Sequence, residues 1–441
     1  MKKILSVILT LTLLFSACSV LFGCSDNKTA ETSKNDKNTE TEIDTQTSDP
    51  ANKPVKGKSE SLSEGFKASD IKVRDLTDND KTHYYNFTGN LFSKVHENGN
   101  NTLVSPLSVF FALAMLTNGA DGNTLAELEE TLGMTNEELN LFVKSYMSAL
   151  PETDYCKMKI ANSVWFRNSE SFRPVNSFLQ TNADYFSADI YKSSFDKTTV
   201  SDINNWVKDK TDGMIPSIID DIDRSTVMFL INALTFDAEW TDQYTEFNIT
   251  EGDFKAVDGS IQKVQFMHGS EYMFLKDENS KGFMKSYKGN DYAFVALLPN
   301  EDVNIDDYIR SLDHEKIDGL LKSKTQSKTI TSLPKFKVEF TKELKDILSD
   351  MGIRDAFMSG SADLSRLGES DMGNLYVSSV LHKTFIEVNE SGTKAGAVTS
   401  ITVEAESAPN DSVILDRPFV YMIVDMKNDL PLFIGNVSSI L

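Results

Sequence analysis

The sequence predicts an α+β fold, because helix patterns dominate the first part of the folded chain and strand patterns crowd its last part. In the early segments, apolar residues recur three and four positions apart, as they do on one face of a helix. In the later segments, apolar residues form continuous runs or alternate with polar ones, as they do in strands. No internal repeat interrupts this order.

The chain begins with a segment typical of a bacterial export signal. Lys2 and Lys3 form a charged start, a long apolar stretch follows, and small residues then precede a cysteine. Two cysteines resemble the lipidation site of a bacterial lipoprotein, and we favour Cys24 over Cys18 because a polar tether follows Cys24 directly. Residues 1–24 are therefore predicted to be a signal peptide with a lipobox; a plain cleaved signal is the alternative. A lipidated cysteine would anchor the secreted protein to the outer face of the bacterial cell membrane.

Residues 25–78 are predicted to form a disordered polar tether. The stretch 25–65 has no aromatic residue and is rich in Thr, Ser, Asp, Asn, Lys and Glu. Such a composition buries too little apolar surface to offset the conformational entropy of the chain. A flexible chain of this length spans roughly 40 Å, so the tether would hold the folded body away from the membrane.

Helix signals begin once the tether has ended near Asp80. Ser105 followed by Pro106 is typical of an N-cap with proline at the first helical position. Thr124 and Glu127 have the spacing of a capping box, which predicts the start of the next helix.

Glycines indicate where several helices end, and one threonine indicates where a further helix begins. The apolar stripes after Thr124 and around Trp206 are expected to end at Gly133 and Gly213. Thr341 is predicted to cap a last helix that ends at Gly352.

Strands are predicted between and after these helices. Residues 227–236 and 292–298 are nearly continuous apolar runs, as in strands that are buried on both faces. Residues 335–340 alternate between charged and apolar side chains, as in a half-exposed strand. The final strand patterns cover residues 385–388, 419–424 and 432–437.

Charge and composition disfavour several classes of function. The formal net charge of −22 opposes binding to nucleic acid, because the chain would repel phosphates. The mature body carries Cys156 alone, which excludes an internal disulfide and favours a buried packing role over a nucleophile. The sequence has no zinc-type histidine spacing, no nucleophile elbow and no phosphate-binding glycine loop. We therefore expect neither an enzyme nor a bound cofactor or metal.

A long connection separates residues 385–389 from the strand pattern at 419–424. Loops beyond about 12–15 residues in a compact domain are usually functional or disordered. Residues 390–399 are almost all small, and residues 400–403 have strong β propensity. If this segment became a strand, its inward side chains would all be small and its one lysine, Lys394, would point to the other face. A flexible surface loop rich in Ala and Gly is the alternative.

From about Asp80 to Leu441 the sequence strongly resembles the serpin family, because several of its segments are similar to serpin signatures in the expected order. These segments are residues 101–133, 205–215, 230–240, 333–367 and 375–399, Arg417-Pro418-Phe419, and residues 431–435.

The resemblance implies one α+β serpin domain over residues 79–441, with three β-sheets, about nine helices and an exposed reactive centre loop. It replaces the division into several domains that the length alone would suggest. It implies a monomeric suicide inhibitor of serine endopeptidases, in which the cleaved loop inserts into the central sheet while the protease remains covalently attached. The alternative is a serpin-fold surface module that binds but no longer inhibits.

The resemblance also assigns roles to particular residues. The hinge of the loop would comprise Glu390, Gly392, Thr393, Ala395, Ala397 and Thr399. Lys394, Gly396 and Val398 depart from the family pattern, but all three would face outward. The residues that govern opening of the sheet, the shutter and the breach, would comprise Ser105, Ser108, Asn232, Trp240 and His382.

The position of the scissile bond is left open between neighbouring residues. Counting from the hinge places it between Glu406 and Ser407, whereas counting back from Arg417 places it between Ser407 and Ala408; Ala405 is a further candidate for the bait residue. A Glu bait suits a protease with a basic specificity pocket, and a small residue suits an elastase-like or subtilisin-like enzyme. A cysteine protease is a further possible target. No Lys or Arg lies between Lys394 and Arg417, which disfavours a trypsin-like target.

Overall fold

The computed structural model describes residues 59–151, 153–393 and 411–440. The predicted signal peptide and most of the predicted tether lie outside these ranges. So do the following residues singled out above: Cys18, Cys24, Lys394, Ala395, Gly396, Ala397, Val398, Thr399, Ala405, Glu406, Ser407 and Ala408.

Nine α-helices occur within the described ranges, and six of them precede residue 211. They are α1 Asp78–Val95, α2 Pro106–Thr117, α3 Gly122–Leu132, α4 Asn136–Ser148, α5 Asn176–Phe186, α6 Lys197–Lys210, α7 Ile305–Arg310, α8 His314–Lys322 and α9 Lys345–Met351.

The strands of the described chain number eighteen. They are β1 Glu60–Ser61, β2 Thr102–Val104, β3 Cys156–Arg167, β4 Phe172–Pro174, β5 Asp189–Ser193, β6 Met228–Glu239, β7 Ile249–Lys255, β8 Ile261–Lys276, β9 Ser280–Ser286, β10 Tyr292–Pro299, β11 Thr325–Pro334, β12 Phe336–Glu343, β13 Gly368–Ser370, β14 Leu381–Val388, β15 Gly392–Thr393, β16 Asp411–Ile414, β17 Phe419–Asp425 and β18 Leu430–Val437.

These strands form three sheets. The central sheet has seven strands in the order β1-β5-β3-β6-β15-β14-β12. The large sheet has nine strands, with β16-β11-β8-β9-β10-β17-β18-β2 in order and β7 paired with β8, and a short sheet joins β13 to β4. The large sheet brings the two ends of the body together, since Val104 of β2 pairs with Ile434 of β18.

The core lies between the central and large sheets. Helix α2 contacts both β6 of the central sheet and β18 of the large sheet. All of its residues except Ala112 are buried, as expected for a helix that is apolar all round. Every residue of β10 is buried, which confirms that the strand predicted over residues 292–298 is covered on both faces. In β6 the first three residues are partly exposed, so the same prediction for residues 227–236 is wrong at that end.

Two of the predicted helix starts are wrong. Helix α3 begins after Asp121, whose side chain accepts a hydrogen bond from the Gly122 amide. Thr124 is buried instead, and its hydroxyl accepts a hydrogen bond from the backbone of Asp363. Thr341 lies in β12 and does not cap α9, which follows Leu344 without a side-chain cap.

Other predicted helix boundaries are confirmed. Ser105 caps α2 by accepting a hydrogen bond from the Ser108 amide, and Pro106 is its first residue. Gly133 ends α3 in the left-handed conformation with φ 75°, where glycine is favoured. Gly352 follows the last residue of α9.

The predicted tether extends too far towards the body. Residues 59–77 lie against the folded chain, with Glu60 and Ser61 paired to β5 at the edge of the central sheet. Leu62, Phe66 and Leu76 pack on the core. These few apolar residues are scattered among polar ones, so the average composition of the segment did not predict their contacts.

None of the helices described is both long enough and apolar enough to cross a bilayer.

The hinge and the opening in the central sheet

The first residues of the predicted hinge form a strand inside the central sheet. Gly392 pairs with Glu239 of β6, and Thr393 pairs both with Ala238 of β6 and with Val388 of β14. The chain reaches this position through a tight turn after β14, in which the Asn389 side-chain oxygen accepts hydrogen bonds from the amides of Ser391 and Gly392. The short strand β15 therefore lies between β6 and β14.

Glycine is required at position 392 because β15 approaches β6 closely. A Cβ atom at Gly392 would lie 2.0 Å from the carbonyl oxygen of Ala238 and 2.9 Å from the Cα of Glu239. Both contacts are with backbone atoms, which cannot rotate away. Any larger residue would push β15 out of its position beside β6.

An opening in the central sheet continues from β15. A cleft lined by Leu234, Thr235 and Phe236 of β6 and by residues 384–387 of β14 begins beside Thr393. In the strand order of the described chain, β15 is the element that separates β6 from β14. Within the described residues, β6 and β14 pair with β15 and with their outer neighbours, and not with each other.

The segment after α6 covers this cleft. Met214 and Ile215 line it from the segment's side. Lys383 of β14 donates a hydrogen bond to the Ser217 carbonyl at 3.1 Å, and Asn204 of α6 accepts hydrogen bonds from two amides of the same segment. A strand that fills the cleft must displace or pass beneath this cover.

Trp240 and Tyr244, which follow β6, hold the turn before β15 by hydrogen bonds. The Trp240 indole donates to the Asn389 carbonyl at 2.8 Å, and the Trp240 amide donates to the Ser391 carbonyl at 2.9 Å. The Tyr244 amide donates to the Glu390 carbonyl at 3.0 Å. Three successive carbonyls are thereby fixed, and Trp240 itself is 1% exposed.

A buried ion pair that sequence reasoning missed supports these rings. Lys285 donates to Glu271 at 2.8 Å, and its ammonium lies 5.5 Å from the Trp240 ring centroid and 4.5 Å from that of Tyr244. A buried cation over aromatic faces is attracted to them electrostatically. Neither residue type is unusual in the sequence, and no local pattern indicates that β8 and β9 bring the two together.

A second ion pair lies at Glu390, the first residue of the predicted hinge. Lys335 contacts its carboxylate at 2.6 Å, and both side chains are partly exposed. The hydrogen bond from Lys335 lowers the pKa of the Glu390 carboxyl, so the pair is present as ions at neutral pH.

Three of the predicted shutter residues, Ser105, Ser108 and His382, form a separate cluster at the other end of β14. The Ser105 amide donates to Nε2 of His382 at 3.1 Å, and the Ser105 hydroxyl donates to the Leu432 carbonyl. Burial lowers the pKa of His382 to about 4, so the imidazole is neutral and accepts the hydrogen bond. Ser108 joins the cluster through its amide.

Asn232 differs from the other predicted shutter residues in its partner. Its side-chain amide donates to Asn162 of β3 at 2.8 Å, and Asn162 in turn donates to the Phe186 carbonyl. The Asn232 Oδ1 atom is buried and has no hydrogen-bond partner in the described part of the chain. Asn232 therefore links β6 to β3, on the side of β6 away from β15.

Cys156 is buried at the start of β3, and burial raises the pKa of its thiol to about 12. A thiol in this state is poorly nucleophilic at neutral pH.

Known proteins are similar to this chain in sequence and in fold. The family model for Serpin (serine protease inhibitor) matches residues 82–440. The thermophilic serpin tengpin in its native state is 44% identical, with a TM-score of 0.83 over 87% of this chain and 100% of its own. Tengpin in the latent state is 44% identical, with a TM-score of 0.76 over 84% of this chain and 100% of its own. The leukocyte elastase inhibitor of Homo sapiens is 30% identical over 80% of this chain and 97% of its own.

The fold and the site define an α+β protein whose central sheet holds the first residues of a long connection between two of its strands. With the family match across almost the whole body, the chain belongs to the serpin family. The predicted fold class is thereby confirmed, including its three sheets and nine helices within the described residues. Family membership supports protease inhibition as the general function.

Proposed function

We propose that this serpin is a suicide inhibitor of serine endopeptidases that traps its target by inserting the cleaved loop into the central sheet. The observation that carries the proposal is the position of β15 between β6 and β14, with a cleft that continues from Thr393. The loop is thus already connected to the place where a new strand would be added.

The residues after Thr393 suit that strand. Thr393 is 2% exposed and defines the inward face. Because side chains alternate along a strand, a continuation of β15 would direct Ala395, Ala397 and Thr399 to the same face and Lys394 to the other. The inward positions carry small side chains and no charge, so insertion would not bury an unpaired ion.

The proposed chemistry follows from ordinary serine-protease acylation. The protease serine attacks the carbonyl carbon of the bait residue, the peptide bond to the next residue breaks, and the released amine leaves with the C-terminal part of the chain. The bait residue remains as an acyl ester on the protease. With Glu406 as the bait residue, insertion of the 13 residues from Lys394 to Glu406 behind β15 would move that ester by roughly 43 Å. Distortion of the oxyanion hole then prevents water from completing hydrolysis.

The composition of the loop supports a target that accepts small or acidic residues. Ala405, Glu406 and Ser407 are the candidate bait residues, and Lys and Arg are absent between Lys394 and Arg417. A relative named leukocyte elastase inhibitor is consistent with an elastase-like target. Glu-accepting and subtilisin-like enzymes, and also cysteine proteases, belong in the same test.

The predicted leader supports a location on the outer face of the bacterial membrane. We propose that Cys24 is lipidated and that the polar tether presents the inhibitor to proteases outside the cell. Metabolic labelling with a palmitate analogue tests this: Cys24→Ala should abolish labelling, whereas Cys18→Ala should not. Labelling that is lost only in Cys18→Ala would assign the anchor to Cys18, and no labelling of the unaltered protein would contradict lipidation.

The trap itself is tested with residues 25–441 and a panel of elastase-like, subtilisin-like, chymotrypsin-like, Glu-specific and cysteine proteases. We expect a complex that survives boiling in SDS, together with a released C-terminal peptide whose mass identifies the bait residue. Cleavage of the loop by these proteases without any such complex would contradict the covalent trap and would favour a serpin-fold binding module.

A further inference from the structure

A buried hydrogen bond joins the hinge to a tyrosine outside it. The hydroxyls of Tyr287 and Thr393 lie 2.5 Å apart. Tyr287 follows β9, and its side chain is completely buried, while Thr393 is 2% exposed. Neither hydroxyl has access to solvent that could replace this contact.

Packing fixes the position of the Tyr287 ring. It stacks on Trp240 with centroids 4.5 Å apart and an interplanar angle of 14°, and it meets Phe236 edge-on at 4.9 Å. The backbone of Tyr287 also forms a bridge with Trp240. The hydroxyl is therefore held at one point beside β15 by residues of β6 and by the residue that follows it.

Withdrawal of the hinge would leave the Tyr287 hydroxyl without its partner in the described part of the chain. A buried hydroxyl that loses its hydrogen bond carries a desolvation penalty, which corresponds to a shift of roughly tenfold in an equilibrium. Burial also raises the pKa of Tyr287, so the phenol stays protonated and the penalty is not relieved by ionisation. The pair therefore favours the state in which Thr393 is in the sheet.

The same bond distinguishes one register of the new strand from its neighbours. Gly392 and Lys394 flank Thr393, and neither carries a hydroxyl. A slip of one residue in a strand exchanges its two faces. Such a slip would bring Lys394 to the buried face and would place glycine or lysine opposite Tyr287. The hydroxyl pair thus forms with Thr393 in the observed register and not after a one-residue slip.

We propose that Tyr287 is a positioning residue for loop insertion, whose hydroxyl selects a hydroxyl side chain at position 393 and sets the register of the inserting strand. This inference rests on the proposed trapping function for its consequence, but the bond itself can be tested without a protease. Its loss would slow correct insertion, so that more loops would be hydrolysed before the protease is trapped.

The first test measures hydrogen exchange at the amides of Trp240 and Tyr244, which donate to carbonyls of the turn before β15. Thr393→Val keeps the shape of the side chain and removes the hydroxyl, whereas Thr393→Ser keeps the hydroxyl. We expect exchange at both amides to become about tenfold faster in Thr393→Val and in Tyr287→Phe, and to remain near the unaltered rate in Thr393→Ser.

The double variant Tyr287→Phe/Thr393→Val shows whether the two hydroxyls act as a pair. Because it leaves no unpaired hydroxyl, it should exchange no faster than either single variant. Unchanged exchange in Thr393→Val, or effects that multiply in the double variant, would overturn the proposal.

Tyr308→Phe is a matched control. The Tyr308 hydroxyl of α7 also pairs with a buried hydroxyl, that of Ser280 at the start of β9, at 2.8 Å, and it lies 3.4 Å from the Asp277 carboxylate. Neither contact involves the turn before β15. This variant should lower thermal stability without changing exchange at Trp240 and Tyr244. Faster exchange there in Tyr308→Phe would mean that general destabilisation, and not the hinge bond, is being measured.

The second test measures how many inhibitor molecules are consumed for each protease trapped. Thr393→Val and Tyr287→Phe should each raise this number severalfold. Thr393→Ser, which keeps the hydroxyl, should leave the number close to that of the unaltered protein. If the unaltered protein traps no protease, the proposed function fails while the exchange test still decides the role of Tyr287. If trapping occurs and the number is the same in all variants, Tyr287 does not position the inserting strand.

Discussion

Thr393 faces the buried side of β15, where its hydroxyl meets Tyr287. An arginine at this position would have to bury a charge without a partner, which is strongly unfavourable. We expect Thr393→Arg to convert the protein from an inhibitor into a substrate that is cleaved and released. The measurement is the fraction of protease found in SDS-stable complexes.

Lys394→Arg is the control for that substitution, because it changes a neighbouring residue that alternation directs to the opposite face. It should retain complex formation. Stable complexes of the Thr393→Arg variant at the unaltered yield would contradict the assigned inward face.

His382 makes the stability of the protein depend on pH. Its folded-state pKa of about 4 lies below the usual histidine value, because burial disfavours the charged form. The neutral state therefore stabilises the fold above about pH 6.5, and this contribution is lost as the pH falls from about 6.5 towards 4. The full loss corresponds to roughly 3 kcal/mol in the free energy of unfolding.

Denaturant unfolding at several pH values between 7 and 4 tests this expectation. His382→Gln removes the titrating group while keeping a side chain that can accept a hydrogen bond from the Ser105 amide. The difference in stability between the two proteins should narrow as the pH falls. A difference that is the same at pH 7 and pH 4 would show that His382 does not titrate in this range.

At the scale of elements, the sequence predicted strands and helix ends better than helix starts. Apolar runs and alternation are local, and they located β10, β12, β17 and β18. Capping depends on which side chain reaches an amide, and tertiary contacts decided that at α3. Thr124 has the right spacing for a capping box, but the packing against Asp363 buries it, and Asp121 takes the role.

Local composition could predict the part of the site whose residues follow one another in the chain, and the serpin resemblance added residues from elsewhere in the sequence. The composition of residues 390–399 indicates a hinge, and the serpin resemblance assigns Trp240 and His382. Tyr287, Lys285 and Glu271 could not be found in this way, because strands β6, β8 and β9 bring them together across long stretches of sequence. The two-residue strand β15 has no local pattern at all and exists only through its pairing with β6 and β14.

The segment before α1 is an element whose contribution can be measured. Phe66 packs on the core from a stretch that composition alone assigns to the tether. We expect Phe66→Ser to lower the free energy of unfolding by about 1–2 kcal/mol, since the apolar surface that the ring buries against the core is lost. Lys67→Ser is the matched control at the exposed neighbouring position and should be close to neutral. Equal stability of the two variants would show that residues 59–77 add little to the fold.

For the whole molecule, the proposed mechanism implies that the intact protein is less stable than its cleaved form. A strand inserted into the cleft would satisfy the facing sides of β6 and β14 and bury further apolar surface. We expect limited proteolysis within residues 405–408 to raise the thermal unfolding midpoint by about 10 °C or more. Differential scanning calorimetry of the intact and cleaved proteins measures the shift, and an unchanged midpoint would favour a non-inhibitory module.

The pairing of β2 with β18 has a consequence for how the protein is made. Val104 pairs with Ile434, which lies far later in the chain, so the large sheet cannot close until β18 has been synthesised. Contacts between such distant positions form slowly, whereas hairpins such as β17 with β18 form quickly. The large sheet is thus completed only after β18 has been synthesised and, if the chain is exported, translocated. A chain that stops before β18 would therefore leave β2 without its partner strand and could not complete this sheet.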